Sequence, residues 1–199
     1  PEKFLATWFK RWAGKYASAW HDLPKDHVAR DKGAVTDEAL IRMVASPHFA
    51  NGVDVAREWG MHHNLFMSAE NIGGSLLEEY VAEQVLPHGW IWCRGMILTA
   101  IDFCHTDCVH MFQVKNKTNT ENSSSKGFRE AHSAQVWHRM RASRQNGVVV
   151  TYWSRLVDLL RQGEGCASIP ADLVSEEAYL DFVSGVASTN ANLLSGSES

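Results

Sequence analysis

The sequence predicts an α/β (α+β) fold with a small central mixed sheet flanked by helices and a helical N-terminal region. Three observations carry this prediction. Apolar residues recur at helical spacing through the first stretch of the chain, as in "EKFLATWFKRWAGKYASAWHDL". The texture then changes to β-branched and aromatic runs, "GWIWCRGMILTAIDFC" and "CVHMFQVKNK". Helical spacing returns in "SRLVDLLRQG" and "SEEAYLDFVSGV". Helices on either side of a strand-rich centre need a sheet whose faces they cover.

Taken in order, Phe4, Leu5, Trp8, Phe9, Trp12, Tyr16 and Trp20 form one apolar face of a first helix. "LPKDHVARDKG" is a polar connection. Thr36-Asp37 is a capping signal ahead of Leu40, Ile41, Met43 and Val44, which predicts a short helix. Another helix is expected over residues 52–67. A further one runs from about Gly74 to Leu86, with Leu76, Leu77, Tyr80, Val81 and Val85 facing inward, and Pro87 and Gly89 stop it. The two β-rich runs follow as strands, and "HTD" between them is short enough for a hairpin turn. Residues 118–126 are expected to form a loop, and "GFREAHSAQVWHRMRAS" a helix. "NGVVVTYW" starts with a turn and continues as a strand. Two helices and a frayed tail, "STNANLLSGSES", close the chain. The expected organisation is a helical region over 1–67 packed on a core over 68–187, with a flexible tail over 188–199.

The chain has 199 residues, enough for a full hydrophobic core in one domain. Its formal charge of −4 does not advertise a nucleic-acid partner, but the distribution does. Between Gln113 and Asn146 lie seven Lys or Arg and two acids, a local excess of five positive charges on an otherwise acidic body. No apolar run approaches the ~18 residues of a membrane span, and no secretory leader is read at the start. The four cysteines, Cys93, Cys104, Cys108 and Cys166, are therefore expected to be reduced in a cytoplasmic protein.

The chemistry concentrates at residues 102–115. Asp102 sits inside an apolar run, although Asp is depleted in strands. Residues two apart on a strand share a face, so Gln113 and Lys115 project together while Phe112 and Val114 enter a core. If "HTD" closes an antiparallel hairpin, Asp102 lies within two residues of being opposite Gln113. A carboxylate, an amide oxygen and an ammonium then converge. A hard divalent cation takes oxygen ligands, and an ammonium beside it can orient water and stabilise developing negative charge. That set suits phosphodiester hydrolysis.

Asp102 followed by Gln113-x-Lys115 resembles the PD-(D/E)xK nuclease motif in its Gln-x-Lys variant. A neutral amide replaces the second carboxylate, and Ile101 stands where the pattern has proline. With "GGSLLEEYV" before it and "QVKNKTNTENSSS" and "TYWSRL" after it, the run over 68–155 resembles type II restriction endonucleases, those of the SinI type above all. The resemblance implies a restriction-endonuclease-like core and Mg²⁺-dependent cleavage of double-stranded DNA at a GGWCC-type site. It also implies a helix glutamate near the metal, for which Glu78 and Glu79 are the candidates, each competing with a solvated helix face. Cutting both strands of a near-palindromic site asks for a two-fold homodimer.

For DNA contact the candidates are Asn116, Lys117, Asn119, Thr120, Asn122, Ser123, Ser124, Ser125 and Lys126, followed by Arg129, Arg139, Arg141 and Arg144. Their donors suit phosphates and base edges, although the same composition fits a plain flexible loop and a solvated helix face. Cys104, His105, Cys108 and His110 contain enough ligands for zinc, but small buried thiols account for the cysteines better. His62 and His63 lack the neighbours of a histidine nuclease centre. Two other functions compete: a repair or junction-resolving nuclease with the same metal chemistry, and a non-catalytic DNA-binding protein.

Overall fold

The computed structural model describes residues 2–28, 37–45, 52–95, 98–118 and 134–194. Among them are five α-helices and one four-stranded sheet. The helices are α1 (Glu2–Trp20), α2 (Glu38–Val44), α3 (Gly52–Val85), α4 (Trp153–Leu160) and α5 (Glu176–Thr189). The strands are β1 (Trp90–Trp92), β2 (Phe103–His105), β3 (Met111–Lys117) and β4 (Gln135–Met140). They lie in chain order across the sheet. β1–β2 and β2–β3 pair antiparallel and β3–β4 pairs parallel, which makes the sheet mixed, as the sequence predicts.

The helix expected over 52–67 and the one expected over 74–86 are one 34-residue helix, α3. Gly73 and Gly74 sit inside it with open space where a Cβ would be, so they do not break it. Helix propensity lost at two glycines is recovered by packing at the C-terminal half, where Leu76, Leu77, Tyr80, Val81 and Val85 are buried. α3 stops at a 3₁₀ turn over Leu86–His88 and at Gly89, whose φ of 78° favours glycine. α2 begins at Asp37, whose side chain accepts from the Ala39 N–H.

The run "GWIWCRGMILTAIDFC" is not one strand. β1 ends at Trp92, and the chain leaves and returns through Gly95 (φ 70°) and Ala100 (φ 58°) before β2. A Cβ on Gly95 would stand 2.9 Å from the Ala19 Cβ, so this glycine lets the end of α1 lie against the loop. The segment expected to be a helix after residue 127 instead contains β4, paired with β3 from Phe112↔Gln135 to Lys117↔Met140. The strand expected over "NGVVVTYW" is a turn. Gln145 and Val148 exchange backbone hydrogen bonds around Asn146 (φ 51°) and Gly147 (φ 80°). A single bridge from Thr151 to Met140 returns the chain to the sheet.

One face of the sheet is closed by α3, α4 and α5. Trp137, Trp153, Tyr80 and Tyr179 pack ring against ring at centroid distances of 5.0 to 5.9 Å. Trp90, Phe103 and Phe112 continue this core, with Phe103 stacked on Phe112 at 4.9 Å. The tail is not free along its whole length. Leu193 is buried beside Leu76 and Val186, and the Asn190 amide donates to the Lys25 and His27 carbonyls.

Candidate active site

β3 carries the centre of the site. Phe112 and Val114 are buried in the core as predicted, and Gln113 is buried as well, at 7% exposure. Lys115 is half-buried on the Gln113 face. Asp102 lies in the bend immediately before β2 rather than within a strand. Its backbone still continues the ladder. The Asp102 N–H donates to the Phe112 carbonyl (3.0 Å), and its carbonyl accepts from the Cys93 N–H (2.8 Å). The register Phe103↔Phe112 places Asp102 across from Gln113. Its carboxylate is fixed by a further bond, from the Val114 N–H to Oδ2 at 2.8 Å.

The hairpin that sets this register is tied at its far end. Asp107 Oδ2 lies 2.7 Å from His105 Nδ1 and 2.8 Å from His110 Nδ1, and Oδ1 accepts from the Val109 and His110 N–H groups. His105 is buried, with Nε2 at 3.5 Å from the Cys166 sulfur. These imidazoles are engaged with a carboxylate. Among the described residues no three His, Cys, Asp or Glu side chains converge on a common metal position. All four cysteines are free thiols.

The two candidate glutamates of α3, Glu78 and Glu79, separate cleanly. Glu79 is 2% exposed and turns away from Asp102. It accepts from the Lys25 N–H (2.9 Å) and meets the Lys25 ammonium at 3.3 Å. Glu78 faces Asp102, Gln113 and Lys115 across a cavity of about 530 Å³. Neither is a solvated helix residue. Trp92 Nε1–H donates to Glu78 Oε2 at 3.1 Å, a contact with no sequence signal beyond the alternation of "WIW".

The electrostatics of the cluster are tense. Burial first, and then the neighbouring Asp102 carboxylate, push Glu78 up to about 8, against the Trp92 hydrogen bond and the Lys115 charge. Burial also raises Asp102 above its ordinary value, opposed by the Val114 hydrogen bond and by Lys115. Two desolvated carboxylates thus share one ammonium. Such a pair favours an added cation, and its donors are the hard oxygens that Mg²⁺ prefers. Glu78 and Lys115 also wall a second open cleft, of about 630 Å³, that leads to Asn116 and Lys117.

The remaining predicted residues distribute unevenly. Asn119, Thr120, Asn122, Ser123, Ser124, Ser125, Lys126 and Arg129 lie outside the described residues. Lys117 pairs with Glu70 at 2.6 Å. Asn116 Oδ1 accepts from Arg139 Nε at 2.9 Å. Arg139 is on β4, not a helix face, and its guanidinium also binds Glu176 at 2.8 Å and stacks 4.9 Å from the Tyr179 ring centroid. It is held inside the protein. Arg141 and Arg144 lie on the exposed turn after β4, where Arg141 donates to Gln145.

The chain is 44% identical over 100 residues to the type II restriction enzyme Eco47I of Escherichia coli, covering 48% of this chain and 42% of that one. It is 43% identical over 100 residues to the type II restriction enzyme SinI of Salmonella infantis, with the same coverage. The matched region thus spans less than half the length of these relatives. A family profile described as SinI restriction endonuclease matches residues 22–168, a range that contains Glu78, Asp102, Gln113 and Lys115. The chain belongs to the SinI restriction endonuclease family.

Proposed function

We propose that this chain is a type II restriction endonuclease that hydrolyses phosphodiester bonds in double-stranded DNA at a GGWCC-type site, with Mg²⁺ as cofactor and as a two-fold homodimer. The observation that carries the reading is the placement of Glu78 and Asp102 in one cavity with Gln113 and Lys115. The family membership and the names of the relatives support the substrate.

Glu78, Asp102 and the Gln113 amide oxygen would hold the metal. Two carboxylates and a neutral amide leave room for phosphate oxygens to complete a coordination shell. Bound there, Mg²⁺ supplies Lewis-acid stabilisation of the phosphate charge. Lys115 orients the attacking water and counters the charge that builds on the phosphorus oxygens. The Val114 N–H holds the Asp102 carboxylate, and the Trp92 N–H holds that of Glu78. Asn116 and Lys117 continue the cleft along β3, and Arg141 and Arg144 are exposed to meet backbone phosphates.

Incubating the protein with plasmid DNA in Mg²⁺, then sequencing the fragment ends, tests this reading. Discrete fragments ending at GGWCC sites are the expected result. Nicking that follows DNA structure rather than sequence points to a repair or resolving nuclease. Binding without any cleavage overturns the enzymatic reading.

A further inference from the structure

Arg94 follows β1 where the chain turns toward Asp102, and it borders the cavity that holds Asp102, Gln113 and Lys115. Its guanidinium carbon is 4.3 Å from the ring centroid of Trp92 and 4.3 Å from that of Trp20. Trp92 is the fixed one of the pair, whereas Trp20 is 44% exposed and meets the Tyr16 ring edge-on. Trp92 is 8% exposed and bonded to Glu78, and Trp20 ends α1, which abuts Gly95. The cation is therefore sandwiched between one buried and one exposed indole before any ligand arrives.

Among the described residues its guanidinium makes no hydrogen bond. Among the described residues no carboxylate lies within 4.0 Å of the Arg94 guanidinium, and its Nε is buried without a partner. The nearest acid in electrostatic terms, Glu79, is already met by the Lys25 N–H and ammonium. A guanidinium carries five donors, and leaving them unmatched is costly unless something else fills them.

We propose that Arg94 binds a backbone phosphate of DNA next to the scissile one, and that Trp20 and Trp92 preset its fork for that contact. This rests on the nuclease reading above. A phosphodiester within reach of Asp102 and Lys115 brings its neighbouring phosphates along the same cavity, whereas base edges lie on the other side of the sugar. The planar fork matches two non-bridging phosphate oxygens. Stacking on two flat rings leaves the terminal N–H groups at the edge of the plane, where they meet such a ligand, while Nε stays buried.

The competing account makes Arg94 a structural counter-charge to Glu79, and the two accounts differ in salt dependence. DNA binding is measured with Ca²⁺ in place of Mg²⁺, to hold back cleavage, on a duplex with a GGWCC site over a range of salt concentrations. Arg94→Gln should weaken binding about tenfold at low salt. It should also reduce the slope of log affinity against log salt by about 0.9, the value of one phosphate contact. Arg94→Lys keeps the charge and should keep the slope, with part of the affinity lost along with the fork. In the wild type, phenylglyoxal modification mapped by mass spectrometry should show Arg94 protected by DNA, a readout that needs no variant to fold. An unchanged slope and affinity in Arg94→Gln, or unprotected modification of Arg94 in the complex, overturns the proposal while leaving the nuclease reading in place. Loss of site discrimination at unchanged slope assigns Arg94 to base edges and also overturns it. Wild-type protein that binds no DNA overturns both.

Discussion

Replacing Glu78 by Gln separates the charge of the cluster from its shape. The amide keeps an oxygen for the Trp92 N–H, which now meets Oε2 at 3.1 Å. What disappears is a carboxylate whose ionisation the fold opposes, since burial and Asp102 raise it from an ordinary 4.5 to about 8. An acid raised by folding contributes no penalty below its unfolded value. The penalty grows as pH rises from 4.5 to 8 and is complete above that. At 1.36 kcal/mol per pKa unit the ceiling is about 5 kcal/mol, and relaxation of the site leaves roughly 2 to 3. For a chain of this size that is a melting shift of about 5–10 °C. Metal-free melting of wild type and Glu78→Gln in EDTA should therefore coincide at pH 5 and separate at pH 9, with the variant more stable. Millimolar Mg²⁺ at pH 9 should raise the wild type toward the variant. A stability difference independent of pH, or a wild type that is the more stable at pH 9, refutes the assignment of Glu78 as a strained carboxylate.

Lys115→Ala should leave DNA affinity nearly intact and reduce the single-turnover cleavage rate by at least about 10²-fold, since the role proposed for its ammonium is on water and on transition-state charge. Near wild-type cleavage would remove it from the mechanism. Gln113→Glu should tighten Mg²⁺ binding and Gln113→Ala should weaken it, because a carboxylate attracts a divalent cation more than an amide does. Identical calorimetric titrations of all three proteins would show that the amide does not touch the metal. Gly163→Ala should lower the melting temperature, because its Cβ would stand 2.8 Å from His105 Cδ2, and that ring is buried and held by Asp107. An unchanged melting curve would show that the hairpin tether is slack.

The site was more legible than the elements around it. Asp102, Gln113 and Lys115 converge as period-two reasoning predicts, because strand alternation and hairpin register leave little freedom once one face is buried. Glu78 and Glu79 were not separable from sequence. They are adjacent on α3, and only the positions of Lys25 on one side and Trp92 on the other decide which enters the cavity. The β4 segment reads as a helix because "AHSAQVWHRM" mixes helix formers with Val and Trp, and pairing with the buried β3 overrides that local preference. The same helical reading makes Arg139 a DNA-contact candidate or part of a solvated helix face, whereas on β4 it is bound by Glu176 and Tyr179. Arg94 carries no sequence signal, because its aromatic partners lie 74 residues away, at Trp20, and two residues away, at Trp92, and a stacked cation leaves no spacing pattern.

The most direct measurement compares wild type with Asp102→Asn, purified in parallel, on GGWCC-containing plasmid with Mg²⁺ and with EDTA. The substitution keeps the side-chain shape beside the Val114 N–H and removes the charge. The account predicts discrete fragments from the wild type in Mg²⁺, none in EDTA, and none from Asp102→Asn in either. Equal cleavage by the two proteins would contradict it.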